Sequence, residues 1–169
     1  MEIVTFVRSG AITHKDSLGN TGRTAAGDVQ VMSAGTGVTH SEFYLEDEAT
    51  TLFQIWIETD RPGAQPGWGA MPFPKESRES QFQLLASGNA DDGALTINAD
   101  ARILGASVKA GESISYAAGP ERHLYLVPSG KVRVNGVQAR PRDGVAAIGE
   151  AALTIEAEED AELVLVDAR

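Results

Sequence analysis

Cysteine is missing from all 169 residues of the chain. No disulfide can form, so the covalent staples of small secreted domains are excluded and a reducing compartment is expected. Membrane segments are also lacking, because no stretch approaches the roughly 20 apolar residues that a spanning helix needs. The first residues show neither the basic nor the apolar region of a signal peptide. These absences predict a soluble, cytoplasmic protein that does not contact a membrane.

Positive charge is scarce as well. The chain has 14 Lys and Arg residues against 24 Asp and Glu residues, which gives a formal net charge of -10. Nonspecific binding to nucleic acid needs a basic surface that neutralises phosphates, so we expect no direct nucleic-acid partner. The sequence also contains no phosphate-binding loop, nucleophile elbow or kinase motif.

Helical periodicity is weak, and only Glu76–Ser80 suggests a single helical turn. Short segments rich in β-branched and aromatic residues recur instead, separated by Gly, Asn and Asp residues that are typical of turns. These segments are Ile3–Val7, Val29–Met32, Leu52–Ile57, Ala94–Ile97, His123–Val127, Lys131–Val134, Ala152–Ile155 and Glu162–Val166. The pattern predicts an all-β protein built as a sandwich or barrel.

Proline is concentrated in one part of the chain. Pro62, Pro66, Pro72 and Pro74 all fall between residues 60 and 75. Because proline cannot donate a hydrogen bond to a sheet, we interpret this segment as a connector rather than a strand. The predicted organisation is a first half at residues 1–60, a connector at 61–78 and a second half at 79–169.

Histidine occurs only three times, and His40 stands two residues before Glu42. On a β-strand these two side chains face the same side, so an imidazole nitrogen and a carboxylate oxygen would converge. Such donors suit iron, manganese, nickel, copper or zinc, although a solvated polar face has the same pattern. Gly35 and Gly37, just before the pair, indicate a tight backbone excursion and favour the metal interpretation.

The other prominent side chains are interpreted as structural. His14 lies among charged residues just before a turn, which predicts a surface position. His123 opens a strand without a nearby acid or second histidine, and we expect a structural role for it. The large aromatic residues are expected in a core or an interface; they are Phe53, Trp56, Trp68 and Phe82.

The N-terminal motifs taken together resemble one known family. The segments Met1–Val7, His14–Asn20, Ala26–Glu42 (which ends in MSAGTGVTHSE) and Leu52–Ile57, together with Gly10, closely resemble bacterial pirins, which belong to the cupin superfamily. The resemblance continues more weakly through Val132–Gly136 and the last strand. It implies two cupin (jelly-roll-like) β-barrel halves. It also implies one mononuclear metal in the first half, iron or another divalent transition metal.

For the site, the resemblance implies a metal held by three histidines and one glutamate. Only His40 and Glu42 are carried over onto this chain, because the family's His-x-His pair precedes the strand that begins here. We therefore expect a first barrel that is incomplete at its N-terminus and a weakened metal site, with Glu2 as a further candidate ligand. An upstream start site and a naturally short relative with an empty pocket both fit the sequence.

Two functions follow from the resemblance. The first is a metal-dependent quercetin 2,3-dioxygenase that cleaves a flavonol with O2, in which Glu42 is both a ligand and the catalytic base. The second is a metal-free binding or regulatory protein of the pirin type. Uncovered strand edges in the first half also predict a homodimer or another protein partner.

Overall fold

The computed structural model describes the whole chain apart from the side chain of Ser77. The described chain forms seventeen β-strands and two short 3₁₀ helices, at Lys75–Arg78 and Ala90–Asp92. The predicted all-β class is confirmed, and each strand-like segment found in the sequence overlaps an observed strand. Among the described residues, neither helix has the length and apolar character that crossing a membrane requires.

The chain divides into two compact units. The first unit consists of residues 1–74 and 86–100, and the second consists of residues 75–85 and 101–169. The first unit thus extends past the boundary expected at residue 60 and takes in a later segment of the chain.

Seven strands of the first unit form two antiparallel sheets. Its strands are β1 (Glu2–Ser9), β2 (Ala11–Asp16), β3 (Thr21–Ala25), β4 (Val29–Ser33), β5 (His40–Phe43), β6 (Thr51–Ile57), β7 (Gly67–Met71) and, beyond β8 (Gln83–Ser87), the short β9 (Leu95–Thr96). One sheet has the strand order β6-β1-β4-β7 and the other has the order β3-β2-β5. Apolar residues of β1 and β4, among them Val4, Phe6 and Val29, are almost fully buried and hold the larger sheet in place.

The second unit has an aliphatic core. Its strands are the first part of β8, then β10 (Ala101–Val108), β11 (Ser113–Ala117), β12 (His123–Pro128), β13 (Val132–Val134), β14 (Val137–Ala139), β15 (Val145–Ile148), β16 (Ala152–Ala157) and β17 (Ala161–Ala168). They form sheets of order β15-β12-β17-β10-β8 and β11-β16-β13-β14. The side chains that fill the space between them include Leu124, Leu126, Leu153, Leu163 and Leu165, each at most 1 % exposed.

The interpretation of residues 60–75 as a connector without a strand was wrong. Strand β7 lies inside this segment and pairs antiparallel with β4, with Gly67 opposite Ser33 and Met71 opposite Val29. Pro66 and Pro72 flank the strand and do not interrupt it, so no ladder donor is lost within it. Proline clustering therefore marked the two ends of a strand here.

A buried polar cluster lies on one side of the second unit's core. Asp167, 3 % exposed, accepts hydrogen bonds from Tyr116 Oη at 2.5 Å and from Arg122 Nε at 2.5 Å. Burial of the phenol, together with the hydrogen bond and the charge of Asp167, raises the pKa of Tyr116 to about 12 against a smaller opposing effect of Arg102. The neutral phenol is therefore the form that the folded state stabilises.

We expect the alkaline stability of the protein to depend on Tyr116. Because its pKa is raised from the ordinary value of 10.0 to about 12, its contribution is complete below pH 10 and is lost as the pH rises from about 10 to 12. Absorbance of tyrosinate at 295 nm should show a late titration step near pH 12. Tyr116→Phe should remove this step and Tyr44→Phe, at a position 63 % exposed, should leave it. A late step that survives Tyr116→Phe would contradict the assignment.

Candidate metal centre

Four polar side chains form a square on one face of the three-stranded sheet. In the register of β2 with β5, His14 stands opposite Glu42 and Asp16 stands opposite His40. Residues directly opposite each other in an antiparallel pair face the same side, and so do residues two apart on one strand. The His-x-Asp of β2 and the His-x-Glu of β5 therefore come together as one group.

Asp16 determines which nitrogen of His14 carries the proton. Burial alone would raise the pKa of the Asp16 carboxyl, but hydrogen bonds from Asn20, His14 and the backbone amides of Asn20 and Leu18 lower it to about 2. The ionised carboxylate lies 3.1 Å from Nε2 of His14 and can only accept, so Nε2 donates. In the neutral imidazole, Nδ1 then keeps its lone pair.

This lone pair has no hydrogen-bond partner among the described residues, although His14 is fully buried. Nδ1 of His14 lies 3.9 Å from Oε1 of Glu42, and the His40 ring stacks on the His14 ring with 5.6 Å between centroids. One ligand atom from each of these three residues lies within 4.8 Å of the others. An orphaned buried nitrogen beside a carboxylate and a second imidazole is a donor set that fits a divalent transition metal.

The opposite sheet holds the Glu42 carboxylate from two sides. Gln30 on β4 donates from Nε2 to Oε1 of Glu42, and Gln54 on β6 donates from Nε2 to Oε2 at 2.7 Å. Both glutamines stand opposite Thr5 on β1, so the three residues form one row across the sheet. Thr5 is fully buried, and its hydroxyl has no partner among the described residues.

Two tryptophans fix the polarity of the glutamine amides. Trp68 Nε1 donates to Oε1 of Gln30 at 3.4 Å, and Trp56 Nε1 donates to Oε1 of Gln54 at 2.9 Å. An indole nitrogen can only donate, so each contacted amide atom is the oxygen and each amide nitrogen must face Glu42. Both oxygens of Glu42 therefore accept a hydrogen bond.

Trp68 also covers His14. The two rings are nearly parallel, with 5.1 Å between centroids and 11° between planes. The space for the indole comes from Gly22, which stands opposite His14 in the register of β2 with β3. A Cβ at Gly22 would overlap Cη2 of Trp68, so a larger side chain there requires the indole to move.

The structure brings together some of the predicted site residues and not others. His40 and Glu42 share one face as expected, and the excursion before them is observed, with positive φ at Gly35 and Gly37. The predicted surface position of His14 was wrong, because the strand register carries it inside the first unit. The sequence did contain a signal for His14, because His14 and Asp16 are spaced like His40 and Glu42. The neighbouring turn led to the surface interpretation instead.

Glu2 does not join this group. Its carboxylate is 1 % exposed and accepts hydrogen bonds from Ser33 Oγ at 2.5 Å and Asn98 N at 3.0 Å. Glu2 and Thr5 are three residues apart on β1, so their side chains face opposite sides of the sheet. Trp68, expected in a core or an interface, packs on the buried His14.

Comparison with known proteins identifies the relatives of this chain. A family model described as Pirin matches residues 1–57, and one described as Quercetinase C-terminal cupin domain matches residues 84–168. A pirin-like protein of Caulobacter vibrioides is 60% identical over 170 residues, which cover 99% of this chain and 73% of that relative. The chain belongs to the pirin family.

Two further pirin-family comparisons bear on the fold and the site. Quercetin 2,3-dioxygenase of Escherichia coli is 36% identical over 169 residues, covering 99% of this chain and 72% of that protein. The crystal structure of the bacterial pirin YhhW of Escherichia coli in complex with nickel(II) has a TM-score of 0.90 at 35% identity, covering 99% of this chain and 72% of that one. The predicted pirin-like bicupin architecture is confirmed.

We expect Gly22→Ala to displace Trp68 from His14 in this pirin-family chain. The added methyl group overlaps the indole, so the free energy of unfolding should fall by about 1–3 kcal/mol, as is usual for overpacking. Urea unfolding measures the loss, and near-ultraviolet circular dichroism reports the moved indole. Gly67→Ala on β7 is the matched control, since a Cβ there meets nothing within 4 Å. Equal effects of the two substitutions would contradict the steric explanation.

Proposed function

We propose that His14, His40 and Glu42 hold one divalent transition metal ion. The observation that carries the proposal is the buried Nδ1 of His14, which has no hydrogen-bond partner among the described residues and faces Oε1 of Glu42 at 3.9 Å. A lone pair facing a carboxylate across this gap is unfavourable without a cation or proton between them. Two histidines and one carboxylate with open positions are the donor set of non-haem iron oxygenases.

The reaction that this donor set suits best is the oxidative cleavage of a flavonol, as the name of the quercetin 2,3-dioxygenase relative indicates for that protein. A metal bound here would supply Lewis-acid and O2 chemistry to the hydroxyl and keto oxygens of such a substrate. Iron and nickel both fit the nitrogen and oxygen donors, and a nickel complex is known for a relative.

The residues of this chain have separate tasks in that reaction. Asp16 keeps the proton of His14 on Nε2, which directs Nδ1 to the ligand position. Each carboxylate oxygen of Glu42 accepts one hydrogen bond from a glutamine amide and keeps a second lone pair open. Glu42 can therefore bind the ion and accept the proton of a substrate hydroxyl. Trp68 covers His14 and limits the access of water to it.

The metal site is tested by replacing each ligand. After incubation with Fe(II) or Ni(II) and gel filtration, mass spectrometry of the wild-type chain should find one metal ion per chain. His14→Ala, His40→Ala and Glu42→Gln should each weaken metal binding more than the roughly 10- to 100-fold that outer-shell changes cause. His123→Ala on β12 is the matched histidine control.

Quercetin turnover by the loaded wild-type chain, followed by loss of flavonol absorbance, tests the reaction itself. Turnover that is lost in Glu42→Gln and kept in His123→Ala supports the dioxygenase. A wild-type chain that stays metal-free would overturn both the site and the reaction, and would favour the metal-free binding protein of the pirin type.

We expect Asp16→Asn to weaken the metal site without removing a ligand. An asparagine can donate as well as accept, so Nε2 of His14 is no longer held as the protonated nitrogen. The Ni(II) dissociation constant should rise about 10- to 100-fold, as is usual for the partner of a metal-binding histidine. Isothermal titration calorimetry measures it, with the exposed Asp47→Asn as the control. An unchanged dissociation constant would mean that Asp16 serves only the turn with Leu18 and Asn20.

A further inference from the structure

The two glutamines that hold Glu42 differ in their surroundings. Gln30 is 2 % exposed, whereas Gln54 and its partner Trp56 are exposed, with Trp56 at 63 %. Hydrogen bonds are stronger where water is excluded, because the local dielectric is lower and no solvent competes. The buried Gln30 therefore constrains Glu42 more than Gln54 does.

Gln30 is itself held in one orientation. Its Oε1 accepts from Thr24 Oγ1 at 3.0 Å and from Trp68 Nε1 at 3.4 Å. Thr24 is fully buried, and Trp68 is stacked on His14, so neither anchor is free to turn away. Reversal of the amide would place its NH2 group against the indole N–H, which has no acceptor to offer.

The same indole contacts one proposed ligand directly and a second one through Gln30. Trp68 packs on the ring of His14 and, through Gln30, reaches Oε1 of Glu42, the atom that lies 3.9 Å from Nδ1 of His14. Trp68 and Gln30 thus set the distance between Nδ1 of His14 and Oε1 of Glu42, although neither is a proposed metal ligand.

We propose that Gln30, with its amide polarity set by Trp68 and Thr24, is the positioning residue of the site and fixes the orientation in which Oε1 of Glu42 faces Nδ1 of His14. The inference rests on the proposed metal site and goes beyond it, because it states that Gln30, which is not a ligand, raises the metal affinity through Glu42. Outer partners of metal ligands are worth about 10- to 100-fold in affinity. Gln30 should lie in that range and Gln54 below it.

The experiment is a Ni(II) titration of the full chain by isothermal titration calorimetry. Gln30→Met keeps the volume of the side chain and removes the amide, so the dissociation constant should rise about tenfold or more. Gln54→Met should have a smaller effect, and Gln138→Met, on the exposed part of β14, should have none. The fitted stoichiometry separates misfolding from mispositioning, because unfolded molecules lower the number of sites and leave the dissociation constant of the folded ones unchanged.

A double-mutant cycle tests the path through Trp68. If the indole acts through Gln30, Trp68→Phe weakens Ni(II) binding in the wild-type background and adds little in the Gln30→Met background. Thr24→Val, which removes the other anchor, gives a second measurement should Gln30→Met fail to fold. Trp56→Phe leaves Trp68 as the single tryptophan, and its fluorescence should change on Ni(II) binding.

The outcomes separate this inference from the proposed function. A wild-type chain that binds Ni(II) and a Gln30→Met variant that binds it equally well would overturn the positioning role and leave the metal site standing. Additive effects in the cycle would overturn the path through Trp68. A wild-type chain that binds no Ni(II) would overturn the metal site, and the positioning role with it.

Discussion

The antiparallel register of β2 with β5 is the constraint on which the site depends. It sets His14 against Glu42 and Asp16 against His40, and each of the four side chains then has its partner on the same face. A slip of one residue would turn one strand's pair to the other face of the sheet and separate the imidazoles from the carboxylates. The register of β2 with β3 matters as well, since it sets Gly22 opposite His14 and leaves the space that Trp68 fills.

The two sheets of the first unit contribute different residues to the proposed site. The three-stranded sheet supplies the donors for a metal, and the four-stranded sheet supplies the glutamines that hold one of those donors. Orientation is therefore imposed across the interior between two sheets that pack face to face, which a loop could do less rigidly. The price of this arrangement is a set of buried polar groups, of which Thr5 Oγ1 and His14 Nδ1 have no partner among the described residues.

The second unit is also built of β-strands, but its described residues include no comparable group of possible metal ligands. Its interior is filled by aliphatic side chains, and its buried Asp167 accepts hydrogen bonds from Tyr116 and Arg122. Removing Tyr116 or Arg122 would leave the buried carboxylate of Asp167 without a partner, which is destabilising. The cluster therefore contributes to stability only while all three residues are present. Similar all-β architecture thus supports a polar site in one unit and an apolar core in the other, as expected when function resides in particular side chains.

The sequence by itself determined the all-β class and the family, because strand-like segments and the MSAGTGVTHSE motif are local features of the chain. It also determined the shared face of His40 and Glu42, because side chains on a strand alternate with a period of two. It did not place His14, which looked like a surface residue beside a turn, or β7, whose flanking prolines looked like a connector. Those depended on which strands pair and in which register. Only the tertiary structure brings Gln30 and Trp68 to Glu42 and His14, because cross-sheet contacts join residues whose separation along the chain carries no local signal.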